Sequence, residues 1–263
     1  MIGDSVSYRY PFTPFPKGWY RINELNNKLV FAFGKEWFVD ESQRLRLVSN
    51  PLCTYPVIHQ NGYLFAYYDE KSETPRFEIP HIPEFNHEQW QKPFRLDWRV
   101  RIHTQEVVEN ALDMAHFCTV HTYKVVPHIS QFVMNGQLFN VTMHSKKNIF
   151  GWVADTTMDI TYHGMGIVVA HVLSSSGIEL KVFLTTTPID EEHVELQMDV
   201  AIKKTKSKLL DIIFKYLIPP HVNKEFSRDI PVWEAKVYRN RPILCNAEGN
   251  IIRIRKWASQ FYA

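Results

Sequence analysis

The chain has 263 residues, of which 45% are hydrophobic, 14% aromatic and 22% charged, with a formal net charge of +2. Such a composition supplies a substantial core and excludes a disordered chain. So small a net charge, with one short lysine-rich run at 203–208, argues against a nucleic-acid partner.

Cys53, Cys118 and Cys245 are odd in number and far apart, so no disulfide framework is expected. A reducing, cytoplasmic setting fits them better. Neither a signal-peptide pattern nor a run of about 18 apolar residues is expected to direct the chain into a membrane.

In chain order, residues 8–20 form a proline- and aromatic-rich arm, which should be extended rather than helical. Residues 29–39 read as two short strands about Gly34, and 55–69 as a hairpin turned at Asn61-Gly62, a strong hairpin signal. A proline-punctuated loop at 78–85 precedes an alternating strand at 93–102. A helix should begin near Thr104, with Thr104 as its N-cap. Five strands of β-branched alternation follow at 137–144, 155–162, 167–173, 179–187 and 193–202. Helical periodicity returns at 207–217 and should stop at Pro219-Pro220. A second helix over 222–238, kinked at Pro231, and a third at 251–261 complete the chain. Strands followed by helices imply an α+β layer architecture.

The chemistry concentrates in 109–121, Glu-Asn-Ala-Leu-Asp-Met-Ala-His-Phe-Cys-Thr-Val-His. His116 and His121 are five apart, about 140° on a straight helix, so they can share a metal only if the helix ends between them. Thr119 and Val120 permit that end, being mediocre helix formers. Asp113 lies one turn before His116, where it could take the ring N–H that a metal leaves free. Two imidazoles and one carboxylate form the usual ligand set of mononuclear non-haem Fe(II). Spacing alone leaves the carboxylate open among Asp190, Glu191, Glu192, Asp199, Asp211, Glu225, Asp229 and Glu234.

The string Asn110-x2-Asp113-x2-His116-x4-His121 resembles the iron motif of the Rieske-type non-haem iron oxygenases, and 109–121 as a whole is most similar to the steroid branch that includes 3-ketosteroid 9α-hydroxylase oxygenase components. Phe15-Pro16-Lys17-Gly18-Trp19 is similar to the family's opening segment. The segments 228–236, 238–244 and 253–262 resemble its C-terminal portion.

The resemblance implies a helix-grip (START-like) antiparallel sheet packed on a long C-terminal helix. It implies Fe(II) held by His116, His121 and Asp229, with Asn110 as a further catalytic residue and Asp113 as the carboxylate through which electrons cross from a neighbouring subunit. Relatives also carry a 2Fe–2S Rieske domain, whose Cys-x-His and Cys-x2-His pairs are absent between Phe38 and Tyr55. The cluster domain is therefore expected to be missing, with 39–50 as the junction. Residues 1–54 would be an N-terminal arm and remnant strands, and 55–263 the catalytic domain.

The implied activity is O2-dependent hydroxylation of a steroid-like or polycyclic molecule. Electrons would come from a separate Rieske-bearing subunit and its reductase, in a trimer or hetero-hexamer. Phe117, Phe150, Trp152 and Phe183 are the candidate pocket residues. The alternative is a non-catalytic structural or hydrophobic-ligand-binding subunit of such an assembly.

Overall fold

The computed structural model describes residues 10–23, 29–71, 73–149, 152–244 and 250–262. Two antiparallel sheets organise the chain. The first comprises β1 (Gly18–Ile22), β2 (Leu29–Ala32), β3 (Lys35–Val39), β4 (Arg44–Leu47), β5 (Asn50–Gln60) and β6 (Tyr63–Tyr68), in the order β1-β6-β5-β4-β3-β2. Asn61 and Gly62 turn β5 into β6 with φ of 55° and 82°, the paired positive angles that a two-residue hairpin of matching twist requires. Inward alternation gives this sheet its own core of Tyr20, Phe33, Trp37, Leu45, Tyr55 and Tyr68. The rings meet tilted or edge-on, as their quadrupoles favour.

The segment 39–50 is not an open junction in this sheet, for β4 and its two flanking turns occupy it. The division expected between residues 54 and 55 falls within β5, and Val57–Gln60 pair with β6 in the same sheet.

The second sheet holds β7 (Phe94–Arg101), β8 (His128–Asn135), β9 (Leu138–Ile149), β10 (Trp152–His163), β11 (Ile167–Ser174), β12 (Glu179–Pro188) and β13 (His193–Ile202), in the order β7-β13-β12-β11-β10-β9-β8. Strand β8 was not foreseen. Its apolar residues Ile129, Phe132 and Met134 are only partly buried at the sheet edge, and the register shifts between Ile129 and Gln131. Helices α1 (Thr104–Asn110), α2 (Met114–Thr119), α3 (Lys208–Ser227), α4 (Ile230–Ala235) and α5 (Ile251–Ala258) gather on one face of this sheet. Mostly antiparallel sheet with few helices is the α+β class expected.

Three helical expectations are corrected. The cap of α1 is His103, whose Nδ1 accepts from the Gln105 N–H, and Thr104 is the first helical residue. Helix α3 runs through Pro219 and Pro220. Ile218 and Val222, on either side, are held against Ile178, Leu180 and Ile202, and that packing offsets the lost backbone bonds. The predicted helix over 222–238 is split, because Pro231 starts α4 at a position where its missing N–H costs nothing.

The sheets are locked face to face. Trp19, Phe65 and Tyr67 pack on Ile167, Val169 and Phe183. At Gly166 any Cβ would lie 2.2 Å from the Trp19 carbonyl oxygen, so only glycine admits this approach. Arg21 of β1 reaches Asp199 of β13 at 2.6 Å with both side chains buried, and Arg95 holds the other carboxylate oxygen at 3.0 Å. A charge so deep is tolerated because it is paired on both oxygens.

Candidate metal centre and apolar cavity

Helix α1 brings the site to the sheet. It is buried along almost its whole length, including Gln105, Glu106 and Glu109. Those polar groups are satisfied from distant parts of the chain. Arg255 of α5 donates to both Glu109 oxygens at 2.8 and 3.0 Å, Lys236 pairs with Glu106, and Tyr10 and Tyr262 hydroxyls reach Glu106 and Gln105. Sequence reasoning missed this network. Its one signal was three polar residues inside a segment otherwise destined for the core.

After Asn110 the chain breaks and restarts as α2 at Asp113, whose Oδ1 accepts the His116 backbone N–H at 3.1 Å. The Asp113 carboxylate is thus a helix cap. The His116 ring Nδ1 bonds instead to the Asp113 backbone carbonyl, which corrects the expectation that the carboxylate would take it. An N-cap side chain folds back on its own turn and cannot also reach across the ring.

The helix ends before His121, as the five-residue spacing demanded. Thr122 then adopts φ 58°, costly for a β-branched residue, and the Tyr123 N–H returns to the Phe117 carbonyl at 3.0 Å. This reversal turns the two imidazoles towards each other, with ring centroids 5.1 Å apart.

Asp229 arrives from the turn between α3 and α4. Its Oδ1 lies 3.0 Å from His121 Nε2 and 3.7 Å from His116 Nε2, and ligand atoms of the three residues all fall within 4.8 Å of one another. The Asn110 amide sits 3.4 Å from both Asp229 Oδ2 and His116 Nε2. Burial lowers the His116 pKa, favouring the neutral imidazole that ligates metals. A donor set of one buried and one half-buried imidazole with one buried carboxylate fits Fe(II). Glu225 of α3 stands 3.9 Å from His121 Nδ1, a buried ring nitrogen with no hydrogen-bond partner among the described residues.

The triad opens into a cavity of about 310 Å³. Strand alternation chooses its walls: Met158, Ile160 and Tyr162 of β10, Val168, Ala170 and Val172 of β11, and Leu180, Val182 and Leu184 of β12 all face it. Phe117 lines it. Phe183 does not, because its odd-numbered place on β12 turns it to the opposite face, against Phe65 and Phe85. Phe150 and the Trp152 side chain lie outside the described residues. His221, read from sequence as structural, and Glu225 reach the cavity from α3. Nothing in their local pattern distinguishes them from surface residues of a helix.

Residues 66–262 match the family model described as the 3-ketosteroid 9alpha-hydroxylase C-terminal domain. Among curated relatives, a 3-ketosteroid-9-alpha-monooxygenase oxygenase component of Rhodococcus rhodochrous is 27% identical over 229 residues, covering 79% of this chain and 59% of that protein. Cholesterol 7-desaturase of Caenorhabditis elegans is 28% identical over 247 residues, covering 80% and 54%. The chain thus spans little more than half the length of these relatives. Among solved structures, Pseudomonas putida CBB5 NdmA with caffeine superposes with a TM-score of 0.66 at 14% identity, covering 92% of this chain and 89% of that one. At that identity the likeness is one of fold.

Proposed function

The chain belongs to the family of 3-ketosteroid 9α-hydroxylase C-terminal domains, and on that premise we propose that it is the iron-bearing catalytic portion of a non-haem oxygenase acting on a steroid-like or other polycyclic hydrophobic molecule. The observation that carries the reading is three ligand atoms within 4.8 Å of one another at the wall of an apolar cavity.

His116, His121 and Asp229 would hold Fe(II), which when bound supplies O2 activation. The chain's own residues do the rest. Phe117, Met158, Ile160 and Val182 exclude water and bind an apolar ligand by area. The Asn110 amide donates to Asp229 and fixes the carboxylate's orientation. Asp113 fixes His116 through its backbone carbonyl and by capping the helix that carries it. Its remaining family role, carrying electrons from a neighbour, belongs to the same proposal. A separate Rieske-bearing subunit and reductase would supply them, in a trimer or hetero-hexamer, since neither cluster-binding pair occurs between Phe38 and Tyr55 and the Cys118-x2-His121 pair gives its histidine to the triad. The seven-stranded sheet with α3 along it would be the helix-grip element, and the six-stranded sheet the remnant of a Rieske domain without its cluster loops.

The test is anaerobic Fe(II) titration of the purified chain, followed by steroid binding. About one Fe(II) per chain, with a steroid that perturbs the spectrum of the bound metal, is expected. A chain that binds steroid but no iron would instead be a hydrophobic-ligand-binding subunit, a reading favoured by the cavity alone.

A further inference from the structure

Helix α3 is apolar on two opposite faces. One face, with Phe214, Ile218 and Val222, closes over Ile178, Leu180 and Ile202, and Ile218 and Val222 line the cavity. The other carries Leu209, Leu210, Ile212, Ile213, Tyr216 and Leu217, with exposures of 67, 43, 56, 39, 69 and 45%. At 100° per residue these six fall within an arc of about 160° over the first half of the helix.

No charge interrupts that arc. Asp211 lies on the opposite side of the helix and Lys215 outside the arc, and the Asp211 Oδ1 accepts from the Thr205 N–H at 2.7 Å and the Thr205 hydroxyl at 2.9 Å. The surroundings are basic. Residues 203–225 contain Lys203, Lys204, Lys206, Lys208, Lys215 and Lys224 against Asp211 and Glu225, and of these lysines Lys203 is paired with Glu179 at 2.8 Å.

A soluble monomer rarely leaves so wide an apolar stripe in water. An apolar arc bordered by lysines is the pattern of a helix lying in a lipid–water interface, with its side chains among acyl chains and its cations among anionic headgroups. No described helix is long and apolar enough to cross a membrane, so the contact is tangential.

We propose that the first half of α3 docks the protein onto an anionic lipid surface. Its outer face enters the bilayer while its inner face walls the cavity, so an apolar molecule leaving the lipid reaches the cavity past one helix, without crossing bulk water. The proposal does not depend on the iron chemistry, because it concerns the face of α3 turned away from the cavity.

The experiment is co-sedimentation of the full chain with vesicles of phosphatidylcholine alone or with about 30% phosphatidylserine. The wild type should partition onto the anionic vesicles at least about tenfold better than onto the neutral ones, and less well in high salt. Ile212→Glu with Tyr216→Glu should lower binding by at least about tenfold, while retaining the wild-type circular dichroism, since both side chains are solvent-facing. Lys206→Glu with Lys208→Glu should remove the preference for anionic lipid. Failure of the wild type to bind either vesicle would overturn the proposal, as would binding that survives the double glutamate variant. So would an oligomer that this variant dissociates while the wild type ignores vesicles, since a second copy would then cover the face.

Discussion

The two sheets are built from the same kind of strand, yet only one leaves space inside. In the six-stranded sheet, Phe33, Trp37, Tyr55 and Tyr68 fill the interior with rings, and the core closes on itself. In the seven-stranded sheet the face towards the cavity is lined by smaller side chains, Val168, Ala170, Val172 and Val182 among them, and the helices stand off it. The site lies where packing stops. Its three candidate ligands come from α2, the reversal after it, and the α3–α4 turn, none of them a strand. A filled sheet contributes rigidity, whereas a sheet left open on one side contributes a pocket, and irregular chain at helix ends supplies the groups aimed into it.

The largest break in this comparison comes from Asp229→Ala. Removing the sole carboxylate among the three close ligand atoms should reduce iron from about one per chain to near none while far-UV circular dichroism stays native; a variant that keeps its iron would mean the third ligand lies elsewhere. Arg255→Met should follow in size. It leaves the buried Glu109 carboxylate without either guanidinium bond and should cost about 3–5 kcal/mol in urea unfolding.

In the closed sheet, Leu45→Ala should cost about 3 kcal/mol by leaving a hole in a sealed core. Iron stoichiometry of the folded fraction should be unchanged, and a parallel loss of iron would show that the two sheets are not independent in this sense. Ala170→Phe should do the converse, reducing apolar-ligand affinity by about tenfold through lost cavity volume without altering iron content.

The smallest effect is that of pH. Burial pushes His103 and His163, both in the seven-stranded half, from 6.5 down to about 4. In the unfolded chain they take up protons at the ordinary value, so stability is fully present above about 6.5 and falls as the pH drops towards about 4. Replacing His163 by Asn should flatten the slope of unfolding free energy over that window.

Much of this was legible in the residues. The Asn61-Gly62 hairpin, the alternation behind β9 to β13, and the requirement that a helix end between His116 and His121 all rest on local geometry, which the sequence carries directly. Spacing alone could not choose Asp229 from eight carboxylates. Resemblance pointed to it, and the folded chain places it 3.0 Å from His121. Phe183 was misplaced because one residue of register along a strand exchanges cavity for inter-sheet core, and composition does not reveal register.

By itself, then, the sequence determined most of the strands (β4 and β8 excepted), the Asn61-Gly62 turn and the chain break on which the two imidazoles depend, because each follows from bonds and sterics within a few residues. Only the tertiary structure decided which carboxylate faces them, which strand faces enclose the cavity, why Glu106 and Glu109 can be buried, and that α3 is apolar on a side left exposed among the described residues. Those properties join residues up to 146 positions apart, as between Glu109 and Arg255, and such pairings exist only once packing has paid the entropy of bringing them together.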